Sequence, residues 1–174
     1  DSKYHAPAYT DPASDLERRL VAGEFVVTSE ITPPLSSTTD KLVRNIKAIG
    51  PHVTAVNFTD NQSAIPRMTS WACSTVAIQN GFEPVLQMSA RNRSRGSVQS
   101  EIIGATALGV RNVLCVTGDS ARLSPSPREK MDINDLDAIQ MLWVLRRMRD
   151  EGKYLDGREI KNPPMFFLGA AASP

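Results

Sequence analysis

Histidine, cysteine and net charge are all scarce in this sequence, and each scarcity removes a class of function. The 174 residues include two histidines and two cysteines, with 6% aromatic side chains and 20 basic against 19 acidic groups, a formal charge of +1. Cys73 and Cys115 are too few for a disulfide framework or a zinc cluster, and they fit a reducing, cytoplasmic compartment with both thiols buried. His5 and His52 lie away from any strand end, so no Ser-His-Asp triad can be assembled. No acid, cysteine or histidine set has metal spacing, and no metal is expected. So small a net charge gives no long-range field to draw nucleic acid or an anionic membrane. Apolar runs are short, as in Val110 to Val116, which Arg111 and Asn112 interrupt, so none spans a bilayer. Nothing resembles a signal peptide. What is present, 41% hydrophobic and 22% charged residues, is the composition of one globular domain.

Along the chain, short apolar segments alternate with helical stripes. Residues 1–10 have no period and read as an N-terminal arm. Asp11-Pro12 is a helix cap with proline in the first turn, followed by Leu16 and Leu20 and closed by Gly23. Phe25 to Ile31 is β-branched and aromatic, and it stops at Pro33-Pro34, which cannot donate to a sheet ladder. Leu42, Val43, Ile46 and Ile49 then form a helical stripe ending at Gly50. Residues 53–58, 84–88, 112–117 and 165–168 read as further strands. Residues 66–80, 97–108 and a segment capped by Asp132 or Asn134 and running through Arg149 read as helices. Trp71, Trp143 and the methionines sit at helical spacing and read as packing residues. Strand centres recur about every 29 residues, the length of one βα unit, so the class is α/β with a parallel sheet.

A dinucleotide-binding sheet would place a glycine-rich turn after its first strand, but that position reads Thr32-Pro33-Pro34-Leu35-Ser36. Polar groups instead gather at the C-terminal end of every strand, as on the catalytic face of a (β/α) barrel, although an open flavodoxin-like sheet also binds there. Glu30 stands where a strand meets a proline-locked loop, and a partly desolvated carboxyl there suits a general acid. The alternative is an ordinary solvated carboxylate at a loop edge. Asp119 follows Gly118, whose missing side chain lets a flat ligand approach, and its alternative is a turn former. Asn57, Thr59, Asn61, Gln87 and Thr117 are neutral donors and acceptors suited to an uncharged polar ring. Arg91, Arg93 and Arg95 read first as a solvated basic loop and second as a site for phosphates or an acidic substrate tail.

Together these segments resemble a family, the flavin-dependent methylenetetrahydrofolate reductases, which are eight-stranded barrels. The resemblance runs from about Glu24 to Pro174 and is anchored on Ser29-Glu30-Ile31-Thr32-Pro33-Pro34 and Val116-Thr117-Gly118-Asp119. Supporting segments are Ala55-Val56-Asn57-Phe58-Thr59-Asp60-Asn61, Met131-Asp132-Ile133-Asn134-Asp135-Leu136 and the run from Gly169 to Pro174. What the resemblance implies is an oxidoreductase of one-carbon metabolism and methionine biosynthesis. It would reduce 5,10-methylenetetrahydrofolate to 5-methyltetrahydrofolate by hydride transfer from reduced flavin after general-acid ring opening. Glu30 and Asp119 would be catalytic, with Glu30, Asn57 and Asp119 on the folate. Flavin, FAD or alternatively FMN, would be held by Asn57, Thr59, Gln87, Thr117, Gly118, Asp119, Ile133, Gly169, Ala170 and Ala171. The family often has Thr where Asn57 stands, His at Gln87 and Arg at Thr117, and this combination looks closest to the divergent, acetogen-type branch. That branch implies a reduced nicotinamide nucleotide or a protein electron-transfer partner as donor, in an oligomer or redox complex. Two competing readings are a flavin-free pterin-binding methyltransferase barrel and a non-catalytic subunit of a redox assembly. The expected fold is a (β/α)8 barrel with its first five strands and four intervening helices present, residues 11–174 forming the N-terminal part of a longer domain.

Overall fold

A computed structural model describes residues 10–126 and 133–171. The arm over residues 1–9, the Asp132 cap and the end of the run at Ala172 to Pro174 lie outside the described residues. Five parallel strands form one sheet: β1 (Thr28–Ile31), β2 (Ala55–Phe58), β3 (Pro84–Ser89), β4 (Asn112–Val116) and β5 (Phe167–Ala170). Their spatial order is β1-β2-β3-β4-β5, and a helix fills each crossover: α2 (Asp40–Ile49), α3 (Ser70–Gln79), α4 (Arg95–Ala107) and α5 (Ala138–Asp150). The strict sequential order decides between the two architectures left open by the sequence. A doubly wound sheet reverses its strand order at the ligand crevice, whereas a singly wound (β/α) barrel does not.

Side-chain alternation then separates two faces. Val56, Phe58, Leu86, Met88, Val113 and Cys115 are buried against the helices, in clusters with Leu42, Ile46 and Ala77 on one side and Ile102, Met141, Leu145 and Met148 on the other. Each such side chain contributes about 1.5–3 kcal/mol. Ala55, Val85 and Leu114 point the other way and pack with Leu16 of a short helix, α1 (Asp15–Val21), which plugs the N-terminal end of the sheet. The cap of α1 is Ser14 rather than Asp11, because the Ser14 hydroxyl accepts the Glu17 N–H at 3.0 Å. The Glu83 carboxylate accepts the next two donors, from Asp15 at 2.9 Å and Leu16 at 3.0 Å, so the usual orphans of a helix start are met across the sheet.

Several boundaries move from their sequence-based positions. β1 starts at Thr28, and Phe25 is 92% exposed. β5 starts at Phe167, whose N–H is the first after Pro163-Pro164 to reach β4, donating to Arg111 O at 2.7 Å. α5 starts after Asp137, which forms a reciprocal capping box with Gln140. Trp71 and Trp143, expected as core or helix packing, are 39% and 41% exposed and so stand outside the core, with the Arg147 guanidinium 5.0 Å over the Trp143 ring. The cysteines behave as expected: both thiols are free and fully buried, and burial pushes each up to about 12. A colorimetric disulfide reagent at pH 8 should therefore titrate neither thiol in the native protein and both in guanidinium; rapid native labelling would contradict the packing.

Candidate active site

With the N-terminal end of the sheet plugged by Leu16, the open face is the C-terminal end, where the loops after β1 to β4 converge. Glu30 and Asn57 are register partners on adjacent strands, and the Asn57 amide donates to Glu30 Oε2 at 3.2 Å. Glu30 is exposed, so the partial desolvation expected for it is not supplied by the described residues. Asn57 Oδ1 and Thr59 Oγ1 are buried without a partner, on the same side of β2. Gln87 is half-buried, and its backbone carbonyl accepts the Ser70 hydroxyl at 2.7 Å. Beside these residues a groove of about 640 Å3 runs between the β1 loop and α2, bordered by Thr32, Ser36, Lys41, Asn45 and Arg67.

The loop after β2 is folded tightly over the neighbouring tips. Asn61, Ser63 and Ala64 hold φ of +50, +57 and +58 degrees, a left-handed run that costs on the order of 1 kcal/mol per residue. Its compensation lies in contacts to β3 and β4: Asp119 Oδ2 accepts the Ser63 N–H at 2.6 Å, and Arg91 donates to Asn61 O at 3.0 Å. Backbone strain of this sort gathers at functional sites. Gly118 has φ of +95 degrees, and a Cβ there would stand 3.0 Å from Arg91 Cβ and 3.1 Å from Ser89 Cβ, so only glycine fits between those side chains. The Thr117 hydroxyl accepts the Ala138 N–H at 3.2 Å, at the start of α5, so it serves that helix.

Below the tips lies a network that sequence reasoning missed. Asp60 is buried and accepts from Ser89 N–H at 2.9 Å, from the Ser89 hydroxyl at 2.8 Å and from Arg93 at 2.5 Å. Arg93 also donates to Glu101 at 2.9 Å. Burial alone would pull the Arg93 guanidinium down, but Asp60 and Glu101 outweigh it and hold the group above its ordinary value. The solvated basic loop is thus corrected: Arg91 and Arg93 are buried, and only Arg95 is exposed, holding the Asp135 carboxyl down to about 2. Nothing in the sequence marked the difference, since the three arginines share one spacing and a turn with Asn92 at φ of +60 degrees intervenes before Arg93.

Among known families, the model described as methylenetetrahydrofolate reductase matches residues 15–157. The chain belongs to that family. No curated protein matches it. The matched span runs from α1 past α5 and covers the tips of β1 to β4, where Glu30, Asn57, Gln87 and Asp119 lie. Its function is accordingly of the methylenetetrahydrofolate reductase type, with folate as the implied substrate, and the family is generally flavin-dependent.

The described residues fit a flavin. Unpartnered Asn57 Oδ1 is an acceptor, Thr59 Oγ1 can donate or accept, and unpartnered Arg91 Nε is a donor, the mixture a flat ring of carbonyls and N–H groups requires. At the far edge, Gly169 and Ala170 end β5 and Ala171 follows it, and Gly169 is the register partner of Leu114. They present no large side chain. Ile133 is 56% exposed, and its carbonyl accepts the Asn92 N–H at 2.8 Å. In the methylenetetrahydrofolate reductase fold the C-terminal face of the strands carries the site. A larger hollow, of about 1120 Å3, lies elsewhere, along α5 beside Ile139, Trp143 and Phe167, and contains none of the residues assigned to folate or flavin. Among the described residues no helix is long and apolar enough to cross a membrane.

Proposed function

We propose that the protein reduces 5,10-methylenetetrahydrofolate to 5-methyltetrahydrofolate, with Glu30 as general acid and a flavin, FAD or FMN, as redox cofactor. The observation that carries this reading is the pairing of Glu30 with Asn57 at adjacent strand tips, next to buried polar atoms that have no partner in the protein. When bound, reduced flavin supplies the hydride. Glu30 delivers a proton to a nitrogen of the imidazolidine ring, and the ring opens to an iminium carbon ready for reduction. The Asn57 amide fixes the Glu30 carboxyl, and Asn57 Oδ1, Thr59 and Gln87 hold flat heterocycles against the strand ends. Asp119 is held by Ser63 N–H through one oxygen, and its charge favours the developing iminium cation.

Either a reduced nicotinamide nucleotide or a protein redox partner would supply electrons, in the cytoplasm. The contacts assigned to Thr117, Gly118, Ile133 and Gly169 to Ala171 belong to the same proposal. The visible spectrum of the purified protein, before and after incubation with FAD or FMN, tests it directly. A yellow protein with flavin absorbance bands is expected. A colourless protein that takes up neither flavin would end this reading and favour the flavin-free pterin methyltransferase barrel.

A further inference from the structure

Three arginines are buried among the described residues, and they are not alike. Arg93 is 9% exposed and paired with Asp60 and Glu101; Arg149 is 9% exposed and paired with Asp150. Arg91 is the most deeply buried, 5% exposed, and no carboxylate of the described residues forms an ion pair with it. Its side chain makes one hydrogen bond, to Asn61 O at 3.0 Å, and its Nε has no partner. A guanidinium taken out of water without a counter-charge is strongly unfavourable, so a group that brings negative charge or acceptors to it is stabilised there.

Its position limits what that something is. The Arg91 N–H donates to Thr117 O at 3.0 Å, continuing the β3–β4 ladder past the strands, and by alternation its side chain lies on the face of Gln87 and Ser89. Gly118 stands directly against Arg91 Cβ and carries no side chain to cover it. The nearest acid in sequence on that tip, Asp119, is engaged with Ser63 N–H instead. The cation is therefore fixed at the mouth, between the β2 loop and the β4 tip, in the place where the unpartnered groups of β2 also gather.

We propose that Arg91 is the charge-compensating group of the flavin site: it pairs with the ring system in its reduced form, which bears a negative charge after losing one ring proton. This rests on the flavin reading above. A fixed cation stabilises the anionic reduced ring more than the neutral oxidised one, so Arg91 raises the midpoint potential of the bound cofactor. It acts on redox poise, a role separate from the proton donated by Glu30.

The test compares the full-length protein with Arg91→Gln and Arg91→Lys, measuring flavin affinity and the midpoint potential by equilibration with a reference dye. Arg91→Gln should bind oxidised FAD within a few-fold of the unaltered protein but reduced FAD at least tenfold more weakly, a downward shift of about 30 mV for a two-electron couple. Arg91→Lys, which keeps the charge, should recover part of the shift. In the unaltered protein the potential should fall by about 30 mV per pH unit around neutrality, the slope for one proton per two electrons; this holds the proposal open to refutation even if a variant fails to fold. A slope of about twice that would overturn it. So would an unmoved potential in flavin-loaded Arg91→Gln, or equal loss of oxidised and reduced FAD with riboflavin binding unchanged, which would assign Arg91 to the cofactor's phosphate. If the unaltered protein binds no flavin, the reductase reading itself fails first, which the spectrum reveals before any variant is made.

Discussion

Glu30→Gln should lower folate reduction by a factor of about 10² to 10⁴, the range that a positioned general acid supplies, while flavin binding stays intact. Glutamine keeps the size of the side chain and an acceptor for the Asn57 amide at the same tip, so the pairing across β1 and β2 can persist. Only the transferable proton is removed. The measurement is rapid mixing of pre-reduced protein with methylenetetrahydrofolate, following flavin reoxidation. Near-normal reoxidation by the variant would remove Glu30 from its role. Because Glu30 is exposed, its position rather than its burial carries the argument, and Asn57→Ala should then weaken the same step by freeing the carboxyl to rotate.

The second large effect falls on stability. Asp60→Ala leaves the buried Arg93 with Glu101 as its one remaining counter-charge, besides its bonds to Ser89, and removes the acceptor for both Ser89 donors. Breaking one side of a buried pair costs about 3–5 kcal/mol, far above the ordinary surface substitution. Urea unfolding of Asp60→Leu, of Arg93→Met and of the two combined separates the terms. The double variant should be less destabilised than the sum of its parts, since no charge is left buried alone. A loss under about 1 kcal/mol for Asp60→Ala would mean that the network does not tie the β2 and β3 tips together.

The fold was legible because its signals are periodic: short apolar runs alternate with helical segments, α2 and α5 as apolar stripes, and each helical segment is followed by a glycine. Boundaries moved where a tertiary partner outweighed a local cap, as when Glu83 and Asn112 drew the start of α1 to Ser14. The polar tips were legible as well, since Glu30, Asn57 and Gln87 lie at predicted strand ends. What could not be read was depth. Arg91, Arg93 and Arg95 look alike in a string, and only the course of the β2 loop decides that Arg91 and Arg93 are enclosed while Arg95 faces water. Trp71 and Trp143 show the converse, helical spacing with only partial burial.

The plug at the N-terminal end of the sheet also fixes an order of assembly. The contacts that seat α1 join Ser14 to Asn112 and Leu16 to Glu83, separations of 98 and 67 residues. Closing loops of that length is entropically slow, and a seven-residue helix is too short to persist by itself. α1 therefore gains its full seat only once β3 and β4 stand side by side. A segment early in the sequence thus depends for its seat on residues that follow it by 67 and 98 positions.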